Sequence, residues 1–368
     1  MRNPFSDMDS NSVDDFLSHT ALNSRLARGI HIDFGPPFAS KWETQAREGM
    51  RALPWRTFFR KNMPTPEVSA KCVRSRLLVP KHVAKLVHEA FDEFRGKSRD
   101  SNLTSAIEIS GSAPGILARV QDDEMRLSID AAGVLNNFGF DKFDSESRLE
   151  INESIAAACV QKSLIPSLTD IVSRTTIWDP LCGSGIFPFV VSHILAGIPP
   201  GSPVIDYPFR RFPFHNPIVF NEAVDGLRLR PHPKHKLLSV IGSDSSVEAV
   251  QTARSNLERF KASLPTSDNV STIPFPVKIE RFPDAYTPPG EGNLAILTAL
   301  PGKGDTERKY KRFHQMVESL VRDQRLVACV VATSKSNQFR KSSDLRWLTD
   351  LRVYDGRREV EVLRLVFS

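Results

Sequence analysis

Two short stretches carry residues arranged for chemistry. The first is Asp179-Pro180-Leu181-Cys182-Gly183-Ser184-Gly185, which follows the apolar run Thr176-Ile177-Trp178 and leads into an apolar stretch that reads as helix. Gly183 and Gly185 let a backbone approach a ligand with no Cβ in the way, and the N-terminus of the following helix offers free N–H groups. Asp179, at the strand end, can accept hydrogen bonds from a cationic or hydroxylated group. A nucleotide-like ligand is gripped in this way, and an ordinary strand-to-helix turn uses the same residues. Pro188 holds the third glycine position of GxGxxG, which argues against a dinucleotide fingerprint. The second stretch ends at Asp244, after the hydrophobic residues 237–241. A carboxylate there can accept from both hydroxyls of a ribose, or Asp244 or Ser245 can cap the helix that follows.

These residues need strands and helices to aim them, and the pattern supplies both in alternation. Strands are expected at 176–179, 237–244, 277–280, 294–297 and 326–333, and a closing hairpin joins 351–354 to 360–367 across Asp355-Gly356. Val247, Val250, Ala253 and Leu257 share one helix face, and Phe313, Met316, Val317, Leu320 and Val321 mark another helix at 309–322. Residues 149–158 read as an alanine-rich helix feeding the first strand.

Upstream, residues 68–73 alternate as a strand, 74–76 form a basic turn, and Val83, Leu86, Val87 and Phe91 line a helix at 81–94. A short run at 106–109 follows, then a hairpin of 116–120 and 125–130 around the polar turn 121–124. Residues 1–62 lack sustained periodicity and read as an extension that partly packs on the body. Their basic, aromatic part at 51–61 suits either stacking on RNA or anchoring the arm to its own domain. Residues 202–236 mix Pro, Arg and aromatics, and their His215, His232 and His235 are assigned to surface loop.

The 368-residue chain is 40% hydrophobic and 25% charged, which excludes disorder and fibrous repeats and allows two compact domains. Its formal charge of +6 tilts the balance toward a polyanionic partner. Cys72, Cys159, Cys182 and Cys329 form no CxxC pair, so neither a zinc site nor a disulfide framework is expected. No apolar run approaches membrane-spanning length, and Asp7, Asp9, Asp14 and Asp15 are unlike a secretory or transit signal. Cytosol or nucleus is the default location, with a mitochondrion still open.

A family resemblance rests on these stretches. The sequences EVSAKCVRSRLLVPKHVAKLVHEAF and ILARVQDDEMRLSIDAAGVLNNFGF resemble the THUMP module of RNA-modifying enzymes and its exit segment. Residues 179–185 together with 194–201 resemble the first motif and following helix of THUMP-linked RNA guanine-N2 methyltransferases, bacterial 23S rRNA and tRNA enzymes among them. Asp244 and the helix tail from Ala253 to Asn256 resemble the second motif. The resemblance implies an α/β chain of three parts. These are an extension over 1–62, an α+β THUMP-like domain over 63–145, and a Rossmann-like class I methyltransferase domain over 146–368, whose mostly parallel seven-stranded sheet ends in an antiparallel hairpin. It further implies S-adenosylmethionine (SAM) as cofactor. Asp179, Pro180, Cys182, Gly183, Ser184 and Gly185 would meet its amino-acid part, Asp244 its ribose, and Asp284 its adenine amino group, while Glu153 stands in the segment beneath it. Lys71, Arg74, Arg76, Lys81 and Lys85 would contact phosphates of a structured rRNA or tRNA.

The sequence departs from the family in two places. The helix after the glycines starts Ile186-Phe187-Pro188, where the family carries Thr and then Glu. The catalytic Asn-Pro-Pro-Tyr is replaced by Ala299-Leu300-Pro301-Gly302, so only Pro301 of the motif is kept, and the amide and the stacking ring are both missing. Two functions therefore stay open. One is a SAM-dependent RNA methyltransferase; the other is a silent relative that binds RNA in ribosome assembly. Partner-assisted chemistry with an activating subunit would reconcile cofactor binding with the altered motif.

Overall fold

The computed structural model describes residues 9–76, 79–96, 113–135, 141, 151–228, 230–263, 275–300, 302, 306–355 and 358–367. The chain divides into two compact units, 1–135 with 201–227, and 136–200 with 228–368.

The first unit is built on the strands β1 (His31–Asp33), β2 (Phe38–Ala39), β3 (Val68–Val73), β4 (Ile116–Gln121) and β5 (Glu124–Asp130). They lie in the order β1-β5-β4-β3, with β2 also paired to β5. The parallel pair β3 and β4 needs a crossover, and the helix Pro80–Arg95 lies within it. Pro80 suits the first helical turn, and Gly96 closes the helix at φ +74°. The hairpin of β4 and β5 turns on Asp122 and Asp123, at φ 53° and 60°. Two left-handed residues in a two-residue loop match the twist of the flanking strands. Strand, helix and hairpin thus stand where the alternation and helical spacing put them; the expected run at 106–109 lies outside the described residues.

Two expectations are corrected here. Residues 9–62 are not an appended arm: β1 and β2 pair with β5, and Phe34, Trp55, Phe58 and Phe59 are buried in the unit's core. Strands of three and two residues are too short to show alternation. The Trp55 ring meets Phe34 edge-on at 4.7 Å and donates its indole N–H to the Met50 carbonyl at 2.8 Å, so the aromatics of 51–61 anchor rather than protrude. The second correction concerns 201–227, which adds Tyr207, Phe209, Phe212 and Phe220 to the same core. His215, expected on a surface loop, has an 8% exposed side chain whose Nδ1 lies 2.8 Å from fully buried Asp14; the same carboxylate accepts from the Asn216 N–H at 2.9 Å. Paired this way, both groups escape the cost of bare burial.

The second unit holds β6 (Thr175–Asp179), β7 (Leu238–Asp244), β8 (Val277–Arg281), β9 (Asn293–Ala299), β10 (Leu326–Thr333), β11 (Trp347–Asp355) and β12 (Arg358–Leu365), in the order β11-β12-β10-β9-β6-β7-β8. Strands β8, β7, β6, β9 and β10 run parallel, and β12 and β11 close the sheet as an antiparallel hairpin. The inner strands β6, β9 and β10 are apolar on both faces and are flanked by two separate cores. The helix expected from 149 starts at Glu153, because the Asn152 side chain caps it by accepting from the Ile155 N–H at 3.0 Å; residues 149–150 lie outside the described part. No described helix is long and apolar enough to cross a membrane.

Candidate functional site

Strand order reverses between β6 and β9, since β7 and β8 continue to one side and β10 to the other. A crevice at the carboxyl ends of the strands forms at such a reversal. Asp179 ends β6 at this point. Its Oδ1 accepts from the Thr298 hydroxyl of β9 at 2.7 Å and from the Leu181 N–H at 3.1 Å. The reversal is therefore bridged by a side-chain hydrogen bond between the two strands.

The turn after Asp179 is strained in the way only glycine tolerates. Gly183 sits at φ 54° and Gly185 at φ 91°, and a Cβ on Gly185 would run into the Phe189 ring. The Cys182 N–H donates to the Ser243 carbonyl at 2.9 Å and the Gly185 N–H to the Cys182 carbonyl at 2.8 Å. The Ser184 and Ile186 N–H groups donate to no acceptor among the described residues. The helix Ile186–Leu195 follows directly, so its first turn contributes unpaired donors beside half-exposed Gly183 and Ser184. Pro188 fits because the facing strand makes room: a Cβ on Gly242 of β7 would come within 2.8 Å of the proline ring. The departure at the helix start is thus matched by a glycine opposite.

Asp244 is fully buried. Its Oδ2 accepts from the Gly183 N–H at 3.1 Å and its Oδ1 from the Ser246 N–H at 2.9 Å. The cap of the helix Val247–Ser263 is Ser246, whose hydroxyl accepts from the Ala249 N–H at 3.2 Å, one residue later than the sequence suggested. Asn256, also fully buried on that helix, donates to the Ser184 carbonyl at 3.0 Å and pairs with the backbone of Asp141. The sequence pattern gives Thr298 no role, and it marks Asn256 only as the tail of a motif, not as a clamp on the glycine turn. An asparagine on the apolar stripe beside Ala249, Ala253 and Phe260 was the available signal.

The remaining cofactor candidates lie in different settings. Glu153 is half-exposed in the first turn of its helix. Asp284 is exposed, accepts from the Tyr286 N–H at 3.1 Å and pairs with Arg312 at 2.7 Å. The same Arg312 guanidinium lies 5.1 Å over the Tyr286 ring, whose hydroxyl burial pushes up to about 12.

The β9 end differs. Ala299 is half-buried and offers no hydrogen-bonding group, and Leu300 is fully buried against Tyr310, Phe313 and Phe339. A Cβ on Gly302 would strike the Ser334 hydroxyl, so a stacking ring has no ready place there. Pro301 lies outside the described residues.

The candidate phosphate contacts do not share one face. Lys71 projects from β3 on the face opposite the core, whereas Lys81 and Lys85 sit on the helix Pro80–Arg95, which packs on the core side. Lys85 is near Glu89 at 3.8 Å; Arg74 makes a two-pronged pair with Asp122 at 2.6 and 2.9 Å, and Arg76 lies 4.8 Å over the exposed Trp42 ring.

Comparison with known proteins gives a family match within the second unit and structural matches across most of the chain. Residues 144–269 match the family described as RMKL-like, methyltransferase domain. No curated protein matches the chain. Among solved structures, it resembles SMU.472, described as a candidate methyltransferase and complexed with SAH, at 18% identity over 95% of this chain and 87% of that one, with a TM-score of 0.65. A protein from Listeria monocytogenes, predicted to be an N6-adenine-specific DNA methylase, matches at 18% identity over 95% and 85%, with a TM-score of 0.64. TrmN from Thermus thermophilus matches at 15% over 93% and 84%, with a TM-score of 0.54. The second unit has the class I methyltransferase fold. At these identities the likeness establishes the fold and not the reaction.

Proposed function

We propose that this chain is a SAM-binding protein of the methyltransferase type that acts on a structured RNA, either rRNA or tRNA. The observation that carries the reading is the joint at the strand reversal, where Asp179, the glycine turn and unpaired helix N–H groups meet beside β9. SAM, when bound, supplies an electrophilic methyl group. Asp179 would take its ammonium end, with the backbone of 183–185 against it. Asp244 already accepts from the chain's own Gly183 and Ser246 N–H groups. It has no open surface, so ribose binding requires the rim at Gly183 and Ser246 to part. Asp284 would offer an acceptor to the adenine amine in competition with Arg312.

The RNA half rests on the THUMP resemblance, the +6 charge and the agreement of strand, helix and hairpin in the first unit with that module's order. Guanine N2 is the reaction the resemblance points to. A second reading is favoured by one observation: Ala299 cannot accept a hydrogen bond from a target amine, and Leu300 is committed to the core. On that reading the protein binds RNA, as in ribosome assembly, without catalysis, or needs an activating subunit.

Calorimetric titration with SAM and transfer of tritiated methyl groups to total cellular RNA separate the two. Binding with label transfer supports the enzyme, and binding without transfer supports the silent relative. Absence of both heat and thermal shift removes the cofactor reading.

A further inference from the structure

The register of the first unit's sheet sets three long cations side by side. Lys71 of β3 is the direct partner of Arg119 of β4, and Arg119 is the direct partner of Arg126 of β5. All three are exposed, because Val68, Ala70 and Cys72, Ile116, Ala118 and Val120, and Met125 and Leu127 turn to the core and leave the alternate residues on the outer face. Strands lie about 4.8 Å apart, and like charges directly opposite each other on a sheet are destabilising.

The charge is graded across the row. Arg126 is answered by Asp33 of β1, 2.7 Å away, and Glu124 precedes it on the same face of β5. Lys71 and Arg119 meet no carboxylate among the described residues. A lysine on β3, at the edge among the described strands, would by itself be explained as a guard against unwanted strand pairing. Arg119 has no such explanation, since β4 is an interior strand paired on both sides. Arg74, by contrast, spends its charge on Asp122.

We propose that the outer face of this sheet, centred on Lys71 and Arg119, is a docking surface for the phosphate backbone of RNA. The inference rests on the RNA reading above and gives it a location that differs from the helix bearing Lys81 and Lys85. Two adjacent cations that meet no carboxylate among the described residues, one able to grip a phosphate with two N–H groups, complement a polyanion. Phosphates lying between them relieve their repulsion further than salt alone does.

The test uses the full chain and a fluorescein-labelled bulk tRNA, with binding followed by anisotropy across roughly 50 to 300 mM KCl. The K71Q/R119Q double variant is expected to bind about tenfold more weakly at 100 mM salt, with the slope of log K against log salt smaller by about 2. Lys162→Gln, an exposed cation of the second unit, serves as the control and should leave both unchanged. The thermal midpoint of the double variant without RNA should equal or exceed that of the parent chain, because a repulsion has been removed. If the parent binds tRNA and the double variant keeps its affinity and slope, this face is overturned while the RNA reading stands. If the parent shows no salt-dependent binding, the RNA reading falls and the docking surface with it. A midpoint several degrees lower in the variant, or equal parent affinity for a DNA duplex of the same length, would also overturn the assignment.

Discussion

The loops that follow β6 and β9 sit on neighbouring strands at the same edge of one sheet, yet they have been treated differently. After β6, nearly every motif residue also holds the fold together. Gly185 leaves room for Phe189, Asp179 ties β6 to β9 through Thr298, and Asp244 fastens Gly183 to Ser246. At the end of β9, the Ala299 side chain offers no hydrogen-bonding group, and Leu300 beyond it is buried in the core. The residues of the first loop are thus accounted for by folding, whereas the Ala299 side chain, packed against the core without a polar group, bears more directly on chemistry. An intact cradle is weaker evidence for catalysis than its sequence suggests.

Substitutions at these residues test the difference between the two strand ends. Leu300→Ala should have the largest effect, about 2–5 kcal/mol lost in urea denaturation, because it empties a fully buried site under β9. A loss under about 1 kcal/mol would mean that Leu300 is not structural. Gly185→Ala should cost about 2–4 kcal/mol, the sum of a left-handed backbone and a clash with the Phe189 ring. The contrast predicts that this loss appears without any ligand present. Asp244→Ala should cost about 1–3 kcal/mol by stranding the Gly183 and Ser246 N–H groups; an unchanged urea midpoint would mark Asp244 as purely functional.

A titration probes the layer beneath β9. Burial holds the His314 imidazole down to about 4 from 6.5, and its Nδ1 is 2.9 Å from the Ser342 hydroxyl. The folded protein therefore resists a proton that the unfolded chain accepts. The stability tied to this group is complete above about 6.5 and is lost as pH falls through about 4. Denaturation midpoints at pH 7 and at about pH 4.5 should diverge less in His314→Gln than in the parent; equal divergence would exonerate the histidine. The smallest change is expected for Ala299→Asn, within about 1 kcal/mol of the parent. Methyl transfer appearing only in that variant would show that the missing amide was the block.

The site was legible wherever a residue type is demanded by backbone geometry at a strand end. Glycines at left-handed angles and acids closing β6 and β7 announce themselves in sequence. The clamping roles of Thr298 and Asn256 did not, because a single polar residue in an apolar run acquires its meaning only from the strand or loop brought opposite it. Of the fold, the long parallel strands were readable from their apolar runs, whereas β1 and β2 are too short to alternate. The five phosphate candidates were grouped by closeness in sequence, and the sheet separated them onto two faces.

The core shared by 1–135 and 201–227 also has a consequence in time. During synthesis the first unit cannot complete itself when residue 135 leaves the ribosome, since Tyr207, Phe209, Phe212 and Phe220 have not yet been made. At roughly 5–20 residues per second the wait is on the order of ten seconds. Throughout it, the apolar surface meant for those four rings has no cover of its own. A chaperone that shields nascent apolar surface would find its longest opportunity there, and any fragment ending near residue 135 would carry that exposure permanently.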